Sequence, residues 1–91
     1  MDTLERADAS EQLLENPIFR MAYKEVHAEL VRGLETCGFM DIETQHELTV
    51  SLQLLNRLKK RLERWVEDGK VEKKTIEQRN WLEKARQRLV R

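Results

Sequence analysis

The sequence predicts an all-α fold: an antiparallel helical hairpin with a short N-terminal helix and a C-terminal helix, a small helical bundle suited to oligomerisation. Three observations carry this. Apolar side chains recur at spacings of three and four along most of the 91 residues, which is the period of one helix face. The composition is 37% charged and 5% aromatic, with three glycines and one proline, the balance of long charged helices rather than of a sandwich or barrel. Capping patterns, in which a short polar residue is followed three positions later by Glu or Gln, punctuate the periodic runs.

Taken in order, Asp8-Ala9-Ser10-Glu11 reads as such a cap and predicts a short helix over 8–15. Asn16-Pro17 ends it, because proline disfavours the α conformation in the residue before it and suits the first turn of the next helix. The second helix is expected over 17–37. Phe19, Tyr23, Val26, Leu30, Gly33 and Cys37 form its stripe, widened by Ile18, Ala22 and Leu34. Gly38 is the expected left-handed stop. After the break at 38–43, Asp41 or Thr44 can cap a third helix over 44–68, with Leu48, Leu52, Leu55, Leu58, Leu62 and Trp65 or Val66 facing inward. Gly69 is expected to end it. Short connections make the second and third helices antiparallel neighbours. Thr75-Ile76-Glu77-Gln78 is a further capping box, and Trp81, Leu82, Ala85 and Leu89 then predict a helix over 75–90.

One domain spanning 1–91 is expected, with a core small enough that a partner would help to close it. A single cysteine excludes an internal disulfide, and no apolar run approaches the roughly 18 residues of a membrane span. A cytosolic protein, with no membrane partner, is the expectation. Net charge is zero, but residues 1–56 hold four basic against eleven acidic side chains, or −7, and residues 57–91 hold thirteen against six, or +7. Such halves can attract one another within a chain, between copies, or toward a charged partner.

No residue pattern points to a reaction, and no enzyme activity, cofactor, metal or small-molecule substrate is expected. His27 and His46 lack neighbours at metal-ligand spacing, and Cys37 stands on an apolar stripe without a positioned base. There is no phosphate-binding glycine loop and no nucleophile elbow. The segment "NRLKKRLERW" (56–65) holds five basic side chains. With Arg57, Lys60, Arg61 and Arg64 outside and Leu55, Leu58 and Leu62 inside, it reads first as a solvated or protein-contacting face. Glu63 and Glu67 interrupt it, and the domain lacks the net basic charge of a dedicated DNA reader. The helices are also too long for a helix-turn-helix unit. Trp65, Trp81, Leu82 and Leu89 are the candidate protein contacts, since a tryptophan beside an apolar stripe is a characteristic interface anchor.

"LLENPIF" (13–19), Ala22, the leucine-rich long helix and "VEDGK" (66–70) together resemble a group of small helical proteins of tailed bacteriophages and prophages, encoded among head and packaging genes. The resemblance spans residues 13–70 and rests on helix punctuation. It implies a structural or assembly accessory that forms homo-oligomers or binds a larger phage protein such as the portal or capsid. The expected location is the host cytoplasm for an assembly factor, or the virion for a structural component. The alternative is an accessory or regulator that binds nucleic acid or a host protein through its basic C-terminal part, using Arg57, Lys60, Arg61, Arg64, Arg79, Arg86 and Arg88.

Overall fold

The computed structural model describes residues 1–89 and contains three α-helices: α1 (Thr3–Glu15), α2 (Pro17–Thr36) and α3 (Ile42–Leu89). The fold is all-α. Ala7 of α1 meets Gly69, Tyr23 of α2 meets Asn56, and Gly33 meets Leu48. As numbers rise along α1 and α2 they fall along α3, so α1 and α2 run one after the other, antiparallel to a single long helix.

The hinge between them is built as the sequence predicts. Asn16 Oδ1 accepts from the amides of Ile18 (2.9 Å) and Phe19 (3.1 Å), with Pro17 in the first turn. These bonds satisfy two amides that an unfinished helix end would leave free. The α2–α3 turn is also anchored by a cap, since Asp41 Oδ1 accepts from the Thr44 amide at 3.1 Å. Gln45 then reaches back, its Nε2 donating to the carbonyls of Gly38 (3.1 Å) and Phe39 (2.9 Å). Of the two expected caps, Asp41 is the one used.

Five boundaries differ from the expectation, among them the start of the third helix, which lies at Ile42 and not at 44. The first helix starts at Thr3, with Asp2 as its cap accepting from Glu5 N at 2.8 Å. Asp8 lies inside that helix, where its carboxylate accepts from Gln12 Nε2 at 3.1 Å instead of capping. The second helix ends at Thr36, and Gly38 has no left-handed backbone; Cys37 turns the chain out through an extended conformation. Gly69 does not end the third helix, and Thr75 does not begin a fourth. α3 continues unbroken to Leu89, and Thr75 Oγ1 donates to the Val71 carbonyl one turn back (3.0 Å). Val90, the expected end of the last helix, lies outside the described residues.

The physical reason for the continuity is what touches Gly69. It is buried inside α3, and a Cβ placed on it would strike the methyl of Ala7. The missing side chain lets α1 approach closely, and the cost of about 1 kcal/mol for glycine within a helix is offset by that packing. Accordingly α1 packs on α3 more extensively than the longer α2 does. Only Ala7 and Leu62 are buried apolar side chains among the described residues, with Ser10 buried beside them and its hydroxyl donating to the Arg6 carbonyl at 2.7 Å.

The molecule is correspondingly long, 77 × 25 × 19 Å with a radius of gyration of 21.4 Å, against about 12 Å for a compact chain of this length. From Glu77 onward every described residue of α3 except Ala85 is exposed. That stretch projects beyond α1 by about 20 Å, at 1.5 Å per residue.

Candidate interaction surface

At the α1–α3 junction, Arg6 is the organising side chain. Its guanidinium carbon lies 4.8 Å from the centroid of the Trp65 ring, and its Nη2 is 3.7 Å from Asp68 Oδ2. A cation above an indole face and an acid at its side hold the group in place. Trp65 is therefore half-buried and engaged by its own chain.

The projecting end of α3 carries the other three predicted contacts, and all are open to solvent: Trp81 is 68% exposed, Leu82 56% and Leu89 86%. Trp81, Ala85 and Leu89 step along at intervals of four, and with Lys84 and Arg88 they line a shallow concavity. At 100° per residue, this line points nearly opposite to Gly69 and Ile76, which face α1. Neither α1 nor α2 of the same chain is placed to cover it.

All seven predicted basic contacts are exposed. Arg57, Lys60, Arg61 and Arg64 occupy positions i, i+3, i+4 and i+7 of α3 and share one side. Because the helix does not break, Arg79 stands five full turns beyond Arg61 on that side, and Arg86 follows seven residues later. Arg88 lies about half a turn round. Two acids interrupt the row: Asp68, which pairs with Arg6, and Glu72 between Arg61 and Arg79.

Between α2 and α3, Tyr23, Lys24, His27, Asn56, Lys59, Lys60 and Glu63 line an open groove. Tyr23 Oη donates to Asn56 Oδ1 at 3.1 Å, Lys59 Nζ lies 5.2 Å from the Tyr23 ring centroid, and His27 stacks on Tyr23 at 6.3 Å. The hydrogen bond and the Lys59 contact tie α2 to α3, while the Tyr23–His27 stack lies within α2. Cys37 is half-buried, with Sγ 3.5 Å from the Leu34 carbonyl. Among the described residues no group of three or more His, Cys, Asp or Glu is placed to hold a metal ion, and no helix is long and apolar enough to cross a membrane.

The opposite side of the hairpin is apolar, and the sequence patterns above do not single it out. Leu58, expected to face inward, is 53% exposed, and Leu54 is 58% exposed. Val50 continues the line on α3, while Ile18, Ala22 and Val26 are exposed on α2. α2 alone covers only part of the circumference of α3, so a stripe this wide leaves one flank bare. The signal was present in the spacing: 50, 54 and 58 form a second apolar line beside 48, 52, 55 and 62, and two lines on one helix imply two neighbours. Phe39, Met40 and Ile42 add an exposed apolar tip at the turn.

No family model, curated protein or solved structure matches the chain.

Proposed function

We propose that this protein is a non-enzymatic protein–protein interaction module, a structural or assembly accessory of a tailed bacteriophage or prophage that works on head or portal components. The observation that carries the interaction role is the lack of a closed core. The chain exposes 7997 Å², whereas a compact protein of its mass exposes about 5,600 Å². That surplus exceeds the roughly 800 Å² each partner buries in a standard interface. Exposed apolar lines on the hairpin, at its tip and on the projecting helix supply surface for contacts of this kind. The phage context rests on the resemblance over residues 13–70. It implies action in the host cytoplasm as an assembly factor, or a place in the virion as a structural component.

The decisive test is the mass of the purified protein by light scattering at low and high salt, followed by binding to purified portal and capsid proteins. A defined multimer, or a complex with either component that weakens on Trp81→Ala, is the expected result. A monodisperse monomer indifferent to both components would overturn the reading.

The row formed by Arg57, Lys60, Arg61, Arg64, Arg79 and Arg86 favours one second reading, a nucleic-acid-binding accessory. It predicts affinity that falls steeply with salt as condensed counterions are released. Failure to bind duplex or single strands at about 50 mM salt, where screening is weak, would remove it.

A further inference from the structure

We propose that two copies of this chain pair through the side of the hairpin opposite the Tyr23 groove, with α2 of each copy lying over α3 of the other in a four-helix bundle. This rests on the interaction-module reading and names its surface and its first partner, a second copy.

The geometry comes from the groove itself. Tyr23, Lys24 and His27 of α2 face the same groove as Asn56, Lys59 and Lys60 of α3. Ala22 and Leu58 each precede a groove residue, Lys24 and Lys60, by two positions, about 200° around the helix. Both therefore emerge on the far side, and so do their i±4 neighbours: Ile18 and Val26 on α2, Leu54 and Val50 on α3. Antiparallel helices turn in opposite senses when viewed from one end, so the two lines lie side by side on one face. Ile18 is 72% exposed, and among the described residues none covers this face. A flat apolar layer two helices wide is half of a four-helix core.

Charge selects both the occupant and the orientation. Glu25 and Glu29 stand beside the apolar line of α2, Arg61 stands beside that of α3 and Arg57 at its outer edge; all four are exposed. From Leu54 to Arg61 of α3 and across Glu25–Glu29 of α2, the face is basic on one helix and acidic on the other, hence complementary to itself; Glu47 marks the end of the basic stretch on α3. Two arrangements bring identical faces together by two-fold symmetry. An axis across the helices would stack α2 on α2 and α3 on α3, setting like charges opposite each other. An axis parallel to the helices sets α2 over α3, Glu against Arg. Gly33 lies level with Leu48, so Glu25 lies level with Asn56, and in the second arrangement it reaches Arg57 of the other copy. The surface the chain leaves exposed is ample for an interface of this kind.

The test uses two charge-reversed variants of the full chain, Glu25→Lys/Glu29→Lys and Arg57→Glu/Arg61→Glu, with mass measured by light scattering. Wild type is expected at twice the chain mass, and each variant alone at the chain mass. Their equimolar mixture should return to twice the chain mass, because both contacts become attractive only in the mixed pair. Leu54→Lys should also give the chain mass. These positions are exposed in the single chain, so circular dichroism should show full helicity in every variant. A wild-type multimer that all three variants leave intact would overturn this face while self-assembly through another stands. A monomeric wild type would overturn it too; the interaction-module reading then stands if portal or capsid protein binds the monomer, and falls if only nucleic acid does.

Discussion

Ala7 packs against Gly69 so closely that any side chain on Gly69 would have to displace it. Gly69→Val should therefore lever α1 away from α3. Overpacking costs about 1–3 kcal/mol, more than the few tenths of a kcal/mol that valine gains over glycine in helix propensity. The expected result is a lower Tm and faster proteolytic cleavage within residues 3–16. Gly38 is the control: a Cβ there meets nothing within 4 Å and its backbone is not left-handed. Gly38→Ala should match wild type or exceed it by about 0.4–1 kcal/mol, through reduced freedom of the unfolded chain.

Asn16→Ala removes the acceptor shared by the Ile18 and Phe19 amides. Loss of such a cap costs about 0.5–2 kcal/mol. The unfolding free energy should fall by that amount, while Asn16→Asp, which keeps the acceptor, should stay close to wild type.

Arg6 shields Trp65, and acrylamide quenching can read that directly once Trp81 is replaced by phenylalanine. In that background Arg6→Ala should raise the quenching constant of Trp65, while its cost in stability stays near 0.5–1 kcal/mol, as for an exposed cation over an aromatic ring. Equal quenching with and without Arg6 would show that the cation does not cover the indole.

Asp41 is held below its ordinary carboxylate value by hydrogen bonds from the Thr44 hydroxyl and amide, and Asp2 mainly by the Glu5 amide. The native state thus favours the charged form. The stability from these caps is complete above the unfolded value of 3.8 and is lost as pH falls through the lowered native values. Asp41→Asn, whose amide oxygen still accepts but does not titrate, should lose less helix stability than wild type on acidification below pH 3.8.

Much of the fold was legible where local chemistry decides it. Asn16-Pro17 and Asp41 act through hydrogen bonds to residues two or three positions away, so their sequence patterns suffice. Gly69 is ambiguous in the sequence because glycine serves two purposes, a left-handed stop or a point of close approach, and only the Ala7 methyl distinguishes them. The same ambiguity created the expected break before Thr75, whose hydroxyl bonds back to Val71 within a continuous helix. At the candidate surface, Trp81, Leu82 and Leu89 lie open because α3 runs on past α1 and no other described helix lies alongside that stretch. Leu58 lies open against its inward expectation because periodicity shows that a side chain belongs to an apolar stripe and not which edge of that stripe a single partner helix reaches.

The unbroken course of α3 also makes the molecule a mechanical ruler. The hairpin and the Trp81–Leu89 segment share one rigid rod, so their distance and relative angle are set by residue count. Inserting one residue after Lys73 would turn the distal surface by about 100° while moving it only 1.5 Å, whereas seven residues would restore its heading to within about 20° and lengthen the rod by about 10 Å. An object gripped at both ends would tolerate the longer insertion better than the shorter one, since twist rather than reach is the quantity this rod transmits.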